Sequence, residues 1–322
     1  MHQVSSHHRR SRGYVLVVTL GLLVLAATLL IGIGRASVSH ALTAHREQAE
    51  LQRRWGVVSC RNALLPAASD IIAIQERKQS RPIPVLRAGV ALGGCRYTLI
   101  LSDEQAKANV NALLERTDKP GTEARIRDAL TGSGMGNSIL LRAEPIQIAP
   151  TQSTSRPAQV LGPPPWITGF GQVFNDVPPQ RLLAGAGAAP VEQLTCWGNG
   201  AINIMRISDR SLRLATAPLL SSIETSRLID ARNAAFAPQA RARKSMLLGV
   251  GNNAVTANAD AVTNLLAEAR VDPKVRRTIA FTSISTCFSL WVVTQDAQRT
   301  WYRFYVTDDS NPRNPRVDAF AW

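Results

Sequence analysis

The sequence predicts an α+β fold: one long N-terminal helix, apolar in its first half, ahead of a body with short helices in its middle and strands toward both ends. Three observations predict it. Tyr14 to Gly34 is a run of 21 residues without a charge. The stretch from Val90 to Leu101 and the tail beyond Thr278 alternate or run apolar, as strands do. Between them, Leu212, Leu214, Leu219, Leu220, Ile223, Leu228 and Ile229 recur at helical spacing.

The first element follows from its length. A helix over Tyr14–Gly34 spans about 32 Å, enough for a bilayer core of about 30 Å. Arg9, Arg10 and Arg12 precede it, which orients the N-terminus to the cytoplasm and exports the remainder. A cleavable signal peptide has a shorter apolar core and a small-residue cleavage site, and Arg35-Ala36-Ser37 is a poor one. From Arg35 to about Val57 the pattern continues as an amphipathic stem, with no helix breaker before Gly56.

Composition narrows the function. The chain has 322 residues, 45% apolar and 5% aromatic, with a net charge of +14 spread thinly. A basic balance admits nucleic acid or anionic membrane without naming either. All five histidines (His2, His7, His8, His40 and His45) lie in the leader or stem. The exported body therefore lacks a histidine base for a nucleophile and imidazole for zinc. Cys60, Cys95, Cys196 and Cys287 form no C-x-x-C pair; they stand as candidate disulfides with three pairings open, or as four buried thiols. The sequence predicts no enzyme and no cofactor.

In the body, Val57–Asp70 is mixed and Ile71-Ile72-Ala73-Ile74 is apolar, before Pro82 and Pro84 interrupt. Val90–Leu101, with Gly93 and Gly94 inside it, predicts a strand pair. Asn109 or Asn111 caps a helix starting near Ala112, and Thr122–Leu130 makes another, stopped by Gly132 and Gly134. Residues 143–190 are rich in Pro and Gly, and predict irregular backbone, mobile at Gln152–Arg156. A helix follows Val255, with Ala261, Val262, Leu265, Leu266 and Ala269 on one face. The tail predicts strands over Thr278–Thr286, Phe288–Thr294 and Thr300–Val306, a turn at Gln295–Gln298, and a last strand over Val317–Trp322. Asp103-Glu104 and Asp308-Asp309 are adjacent acids; on a strand such neighbours face opposite ways. Asp308, Asp309 and Asn311 form an acidic turn, a weak calcium candidate better read as solvated.

Two stretches carry a family resemblance. Arg12-Gly13 followed at once by Tyr14 and the apolar run resembles a type IV prepilin leader, which a prepilin peptidase cuts after the glycine. Ser102-Asp103-Glu104-Gln105-Ala106-Lys107-Ala108-Asn109-Val110-Asn111-Ala112-Leu113-Leu114 resembles the first signature of general secretion pathway protein K, a minor pseudopilin of type II secretion systems, with Val110 for the usual leucine. Phe174, Asp176, Leu182 and Leu183 resemble a later turn of that family. Ala201-Ile202-Asn203-Ile204 starts its second signature, but the family's Asn-Thr-Ala is replaced by Met205, Arg206 and Ile207. The usual glutamate at the fifth mature residue is Val18 here, which suits a subunit at a filament's end.

The resemblance implies a pilin-like antiparallel sheet packed on the long helix, with a large all-α insertion of helix-hairpin-helix type. Its divisions are a leader at 1–13, the helix at 14–57, the first part of the head at 58–102, the insertion at 103–277, and closing strands at 278–322. It further implies a subunit capping a periplasmic pseudopilus and helping to start its assembly. Its partners would be other minor pseudopilins, the inner-membrane platform of the secretion system and the prepilin peptidase. Calcium enters only as something some relatives bind. The alternatives are a signal-anchored periplasmic protein, including a DNA-binding one, and a minor type IV pilin. DNA binding is disfavoured, since the turns near Ala217-Pro218 and Ser221-Ser222 lack the glycine that would offer backbone N–H groups to phosphate.

Overall fold

The computed structural model describes residues 11–142, 167–185, 189–236, 254–296, 299–309 and 316–321. The chain divides into two compact units, Met1–Gly56 and Val57–Trp322. The first is helical throughout its described part. Helix α1 begins at Ser11 and runs to Leu64, its last turns belonging to the second unit. Its apolar residues from Tyr14 to Ile33 are exposed, and it is long and apolar enough to cross a membrane.

In the second unit α1 gives way to α2 (Ala68–Gln79). The stem therefore ends at Leu64 and not near Val57. The run Ile71–Ile74 lies inside a helix whose buried residues, Ala68 and Ile72, are one turn apart. A hairpin follows: β1 (Val85–Leu92), a turn with Gly93 and Gly94 at positive φ, and β2 (Cys95–Asp103). Glycine suits that turn because both positions lie where a side chain is strained.

The insertion starts with a single 3-10 turn (Glu104–Ala106) and β3 (Ala108–Asn109). Helices α3 (Val110–Arg116) and α4 (Lys119–Ala129) come next. Asn109 caps the first, accepting from Ala112 N at 3.1 Å. Asp118 caps the second, with Pro120 in its first turn. That cap sets the start of α4 three residues ahead of Thr122. Short helices α5 (Pro179–Leu183) and α6 (Pro190–Gln193) precede β4 (Leu194–Thr195) and β5 (Ile202–Asn203). Then come α7 (Asp209–Thr216), α8 (Ser222–Phe236), α9 (Ala254–Glu268) and α10 (Pro273–Thr278). The segment Gln152–Arg156 and most of the Pro/Gly-rich stretch around it lie outside the described residues.

The tail returns as β6 (Phe281–Thr282), β7 (Cys287–Gln295), β8 (Thr300–Asp308) and β9 (Arg316–Ala321). A strand over Thr278–Thr286 is not formed. Pro273 opens a helix that holds residues through Thr278, and β6 leaves the main sheet to pair elsewhere. The main sheet has the order β1-β2-β7-β8-β9, antiparallel throughout. Its central pair, β2 with β7, joins Asp103 to Phe288 across the whole insertion.

Alternation along these strands serves two cores. Tyr97, Leu99, Leu101, Leu290, Val292 and Tyr305 share a core with Val57 and Cys60 from the end of α1, Leu65 from the link after it, and Ile72 from α2. Ile100, Trp291, Phe304 and Val306 face the insertion and join its large cluster. The insertion is thus continuous with the head's core. Two parallel ladders of two residues each fasten its ends, β3 to β4 and β5 to β6.

Candidate functional site: the buried joint of the insertion

At the end of β2 the chain turns out of the sheet, and the motif residues gather there. Asp103, the last residue of the strand, and Glu104, the first of the turn, are both fully buried and face different partners. Asp103 Oδ2 accepts from Ser285 Oγ at 2.6 Å, Asn203 Nδ2 at 3.2 Å and Arg206 Nη1 at 3.3 Å. Its Oδ1 accepts from Gln105 N at 3.0 Å. Burial raises the Asp103 carboxyl above its ordinary value, while Ser285, Arg206 and Gln105 pull it down. Glu104 Oε1 accepts from Lys107 Nζ and from Ser289 Oγ of β7. Lys107 is as hidden as its partner, and Glu104 Oε2 is buried with no partner.

The amides of the motif complete the joint. Asn109 Nδ2 donates to Trp197 O at 2.8 Å while its oxygen caps α3. Asn111 donates to Ile167 O at 2.9 Å and Cys196 O at 3.0 Å, and accepts from Ile167 N at 2.9 Å. Gln105 Nε2 donates to Asn199 Oδ1 at 3.0 Å, and its Oε1 accepts from Thr286 N at 2.7 Å. Asn203 also donates to Ser285 Oγ at 2.8 Å. Leu113 and Leu114 are buried beneath, and Ile202 pairs with Phe281. Apart from Glu104 Oε2, the polar groups of Asp103, Glu104, Lys107, Asn109, Asn111 and Asn203 named here are engaged by protein partners. Such a cluster fixes backbone positions; it presents nothing to a ligand.

Arg206 carries no sequence signal of its own, because it sits where the second signature departs from the family pattern. It donates Nε to Glu76 Oε1 and Nη2 to Glu76 Oε2, both at 3.0 Å. Burial pulls Arg206 down, but Glu76 and then Asp103 more than restore it and raise it overall. Glu76 Oε1 also accepts from Ile83 N at 3.2 Å. One guanidinium thus ties α2, the loop before β1 and the root of the insertion together. The only trace of it in the residues is a charge set among apolar neighbours, Ile204, Met205 and Ile207. A similar fork, Arg87 on Glu192 at 2.6 and 2.9 Å, ties β1 to α6.

The other sequence candidates fall elsewhere. Arg12 and Gly13 lie in the first turn of α1, Tyr14 is exposed, and Val18 is exposed. All four cysteines are free thiols, so none of the three pairings is formed. Cys196 and Cys287 lie in the insertion's core and Cys60 in the stem's. Burial pushes the thiols of Cys60, Cys196 and Cys287 upward, and Glu104 adds to this at the last two, which keeps them protonated. Phe174, Leu182 and Leu183 are buried in the core, while Asp176 takes a positive φ of 52° in a turn. Asp308 ends β8, and Asp309 N donates to Thr286 O at 2.8 Å. Among the described residues no three His, Cys, Asp or Glu converge on a metal, and Asn311 lies outside them.

These features define a class by architecture: a helix able to span a membrane, leading into an antiparallel head interrupted by a helical insertion that is sealed with buried charge. No family model and no curated protein matches the chain. Among solved structures it is similar to a chain of "The Crystal Structure of the GspK-GspI-GspJ complex from enterotoxigenic Escherichia coli Type 2 Secretion System". The identity is 16%, the match covers 86% of this chain and 98% of that one, and the TM-score is 0.41.

Proposed function

We propose that the chain is a minor pseudopilin of a type II secretion system, resembling general secretion pathway protein K, and the tip subunit of its periplasmic pseudopilus. The observation that carries the reading is the joint. The residues by which the sequence resembles that family come from two stretches, Asp103, Glu104, Lys107, Asn109 and Asn111 in the first and Asn203 in the second, and they gather where the insertion enters and leaves the sheet. A helix long and apolar enough to cross a membrane, with no carboxylate at Val18, supports a subunit that ends a filament.

On this reading the N-terminus is cytoplasmic, α1 crosses the inner membrane once, and the head is periplasmic. The subunit starts assembly with other minor pseudopilins on the inner-membrane platform, and the filament drives folded proteins across the outer membrane. The chain catalyses nothing and needs no cofactor. It is instead a substrate of the prepilin peptidase at Gly13 and Tyr14, with Arg12 ahead of the cut.

Mass spectrometry of the chain from cells containing the peptidase tests this. The expected product begins at methylated Tyr14, and Gly13→Val leaves the leader attached. A native chain that keeps its leader overturns the reading in favour of a plain signal anchor.

A further inference from the structure

Two helices of the insertion carry charged stripes that meet. On α4, Arg125, Asp128 and Ala129 are spaced i, i+3, i+4; on α7, Arg210 and Arg213 are spaced i, i+3, with Leu214 and Ala217 following. Together they line a cleft of about 270 Å³. Arg210 reaches across toward the end of α4, where a Cβ added at Gly132 would stand 3.9 Å from its Nη2.

The cleft differs from the rest of the insertion in how its arginines are used. Half-buried Arg116 donates to Ala215 O at 2.8 Å, Arg206 to Glu76 at 3.0 Å, and Arg276 to Val271 O and Leu266 O at 3.0 Å. Arg125 and Arg210 are equally half buried, yet neither has a hydrogen bond or ion pair among the described residues. Arg213 reaches only Ser226 Oγ, at 3.4 Å. Asp128 forms no ion pair with any of them among the described residues. Three guanidinium groups against one carboxylate leave the lining with two surplus positive charges. Guanidinium groups that line a cleft without a protein partner are open to a ligand, and their planar forks suit tetrahedral oxyanions. A phosphate group carries about −1.5 to −2 at neutral pH, which matches the surplus.

We propose that this cleft binds a phosphate group, held between Arg125 of α4 and Arg210 of α7 with Arg213 at the rim. The inference needs only the insertion's helices and is independent of the secretion reading. The source is either free phosphate or the headgroup of an anionic phospholipid, and the chemistry of recognition is the same for both.

The test is calorimetric titration of the full chain, in phosphatidylcholine nanodiscs, with inorganic phosphate against chloride at matched ionic strength. One saturable phosphate site is expected. Arg125→Gln and Arg210→Gln should each weaken it by about tenfold or more, and exposed Arg213→Gln by less. Arg96→Gln, exposed on β2, should leave it unchanged. Repeating the titration with phosphatidic acid in the disc separates the sources. Weakened phosphate binding means that a lipid headgroup fills the cleft; unchanged binding means that free phosphate is the ligand. The absence of a saturable heat, or native affinity in Arg210→Gln and Arg213→Gln alike, overturns the proposal; the exposed Arg213 variant keeps the outcome clear of any folding defect.

Discussion

The two faces of the five-stranded sheet are covered by different means. On one, the end of α1 and α2 lay a simple apolar sheet of contacts over Tyr97, Leu99, Leu101, Leu290 and Val292, with Arg61 over the Tyr305 ring at 5.4 Å. On the other, the insertion packs on Ile100, Trp291 and Phe304, and is sealed at its root by the buried charges of Asp103, Glu104 and Lys107 and by half-buried Arg206. The first face asks for hydrophobic fit and tolerates small errors. The second asks for complete pairing, because a buried charge stripped of its partner costs more than a lost methyl.

The sharpest way to break that contrast is Lys107→Met, which strands Glu104 as an unpaired buried acid. It should lower stability by about 3–5 kcal/mol in thermal or denaturant unfolding, and Glu104→Gln added to it should recover much of the loss. An uncorrected loss in the double variant would mean that Lys107 acts through packing. Trp291→Ala, which empties the insertion face beside Phe304 at 4.7 Å, should cost about 3–5 kcal/mol.

Asp103 sharpens the comparison through pH. Its folded-state carboxyl is raised, mainly by burial, so its contribution to stability is complete below the ordinary aspartate range and is lost as pH rises through the raised value. Unfolding followed from acidic to neutral pH should carry that downward slope, and Asp103→Asn should flatten it. A slope unchanged in the variant would assign it to another group. The smallest effect belongs to the stem face, where Ile72→Val should cost about 1 kcal/mol.

What could be read in advance divides along the same line. The apolar run from Tyr14, the Gly93-Gly94 hairpin and the alternation of β7 and β8 are local patterns with one physical cause each, and residues alone reveal them. The joint is not local. Asp103 and Asn203 lie in recognisable motifs, but their meeting depends on β2 pairing with β7 and on two ladders of two residues each, too short to leave a pattern. Arg206 was hidden because it replaces the family's pattern, and its partner Glu76 lies in α2, whose isoleucine run masks a helical face. The thiols could be counted, but only their placement in the fold tells that they are free.

The pairing of β2 with β7 also governs the order in which the head can form. Asp103 and Phe288 must find each other with the entire insertion between them, so closing that contact forfeits the freedom of a very long loop before any sheet contact rewards it. The hairpin β1–β2 can form early, but its inner edge stays unsatisfied until the last strands have been synthesised. A nascent chain therefore carries an open, apolar strand edge for most of its synthesis, and only its final segment closes it.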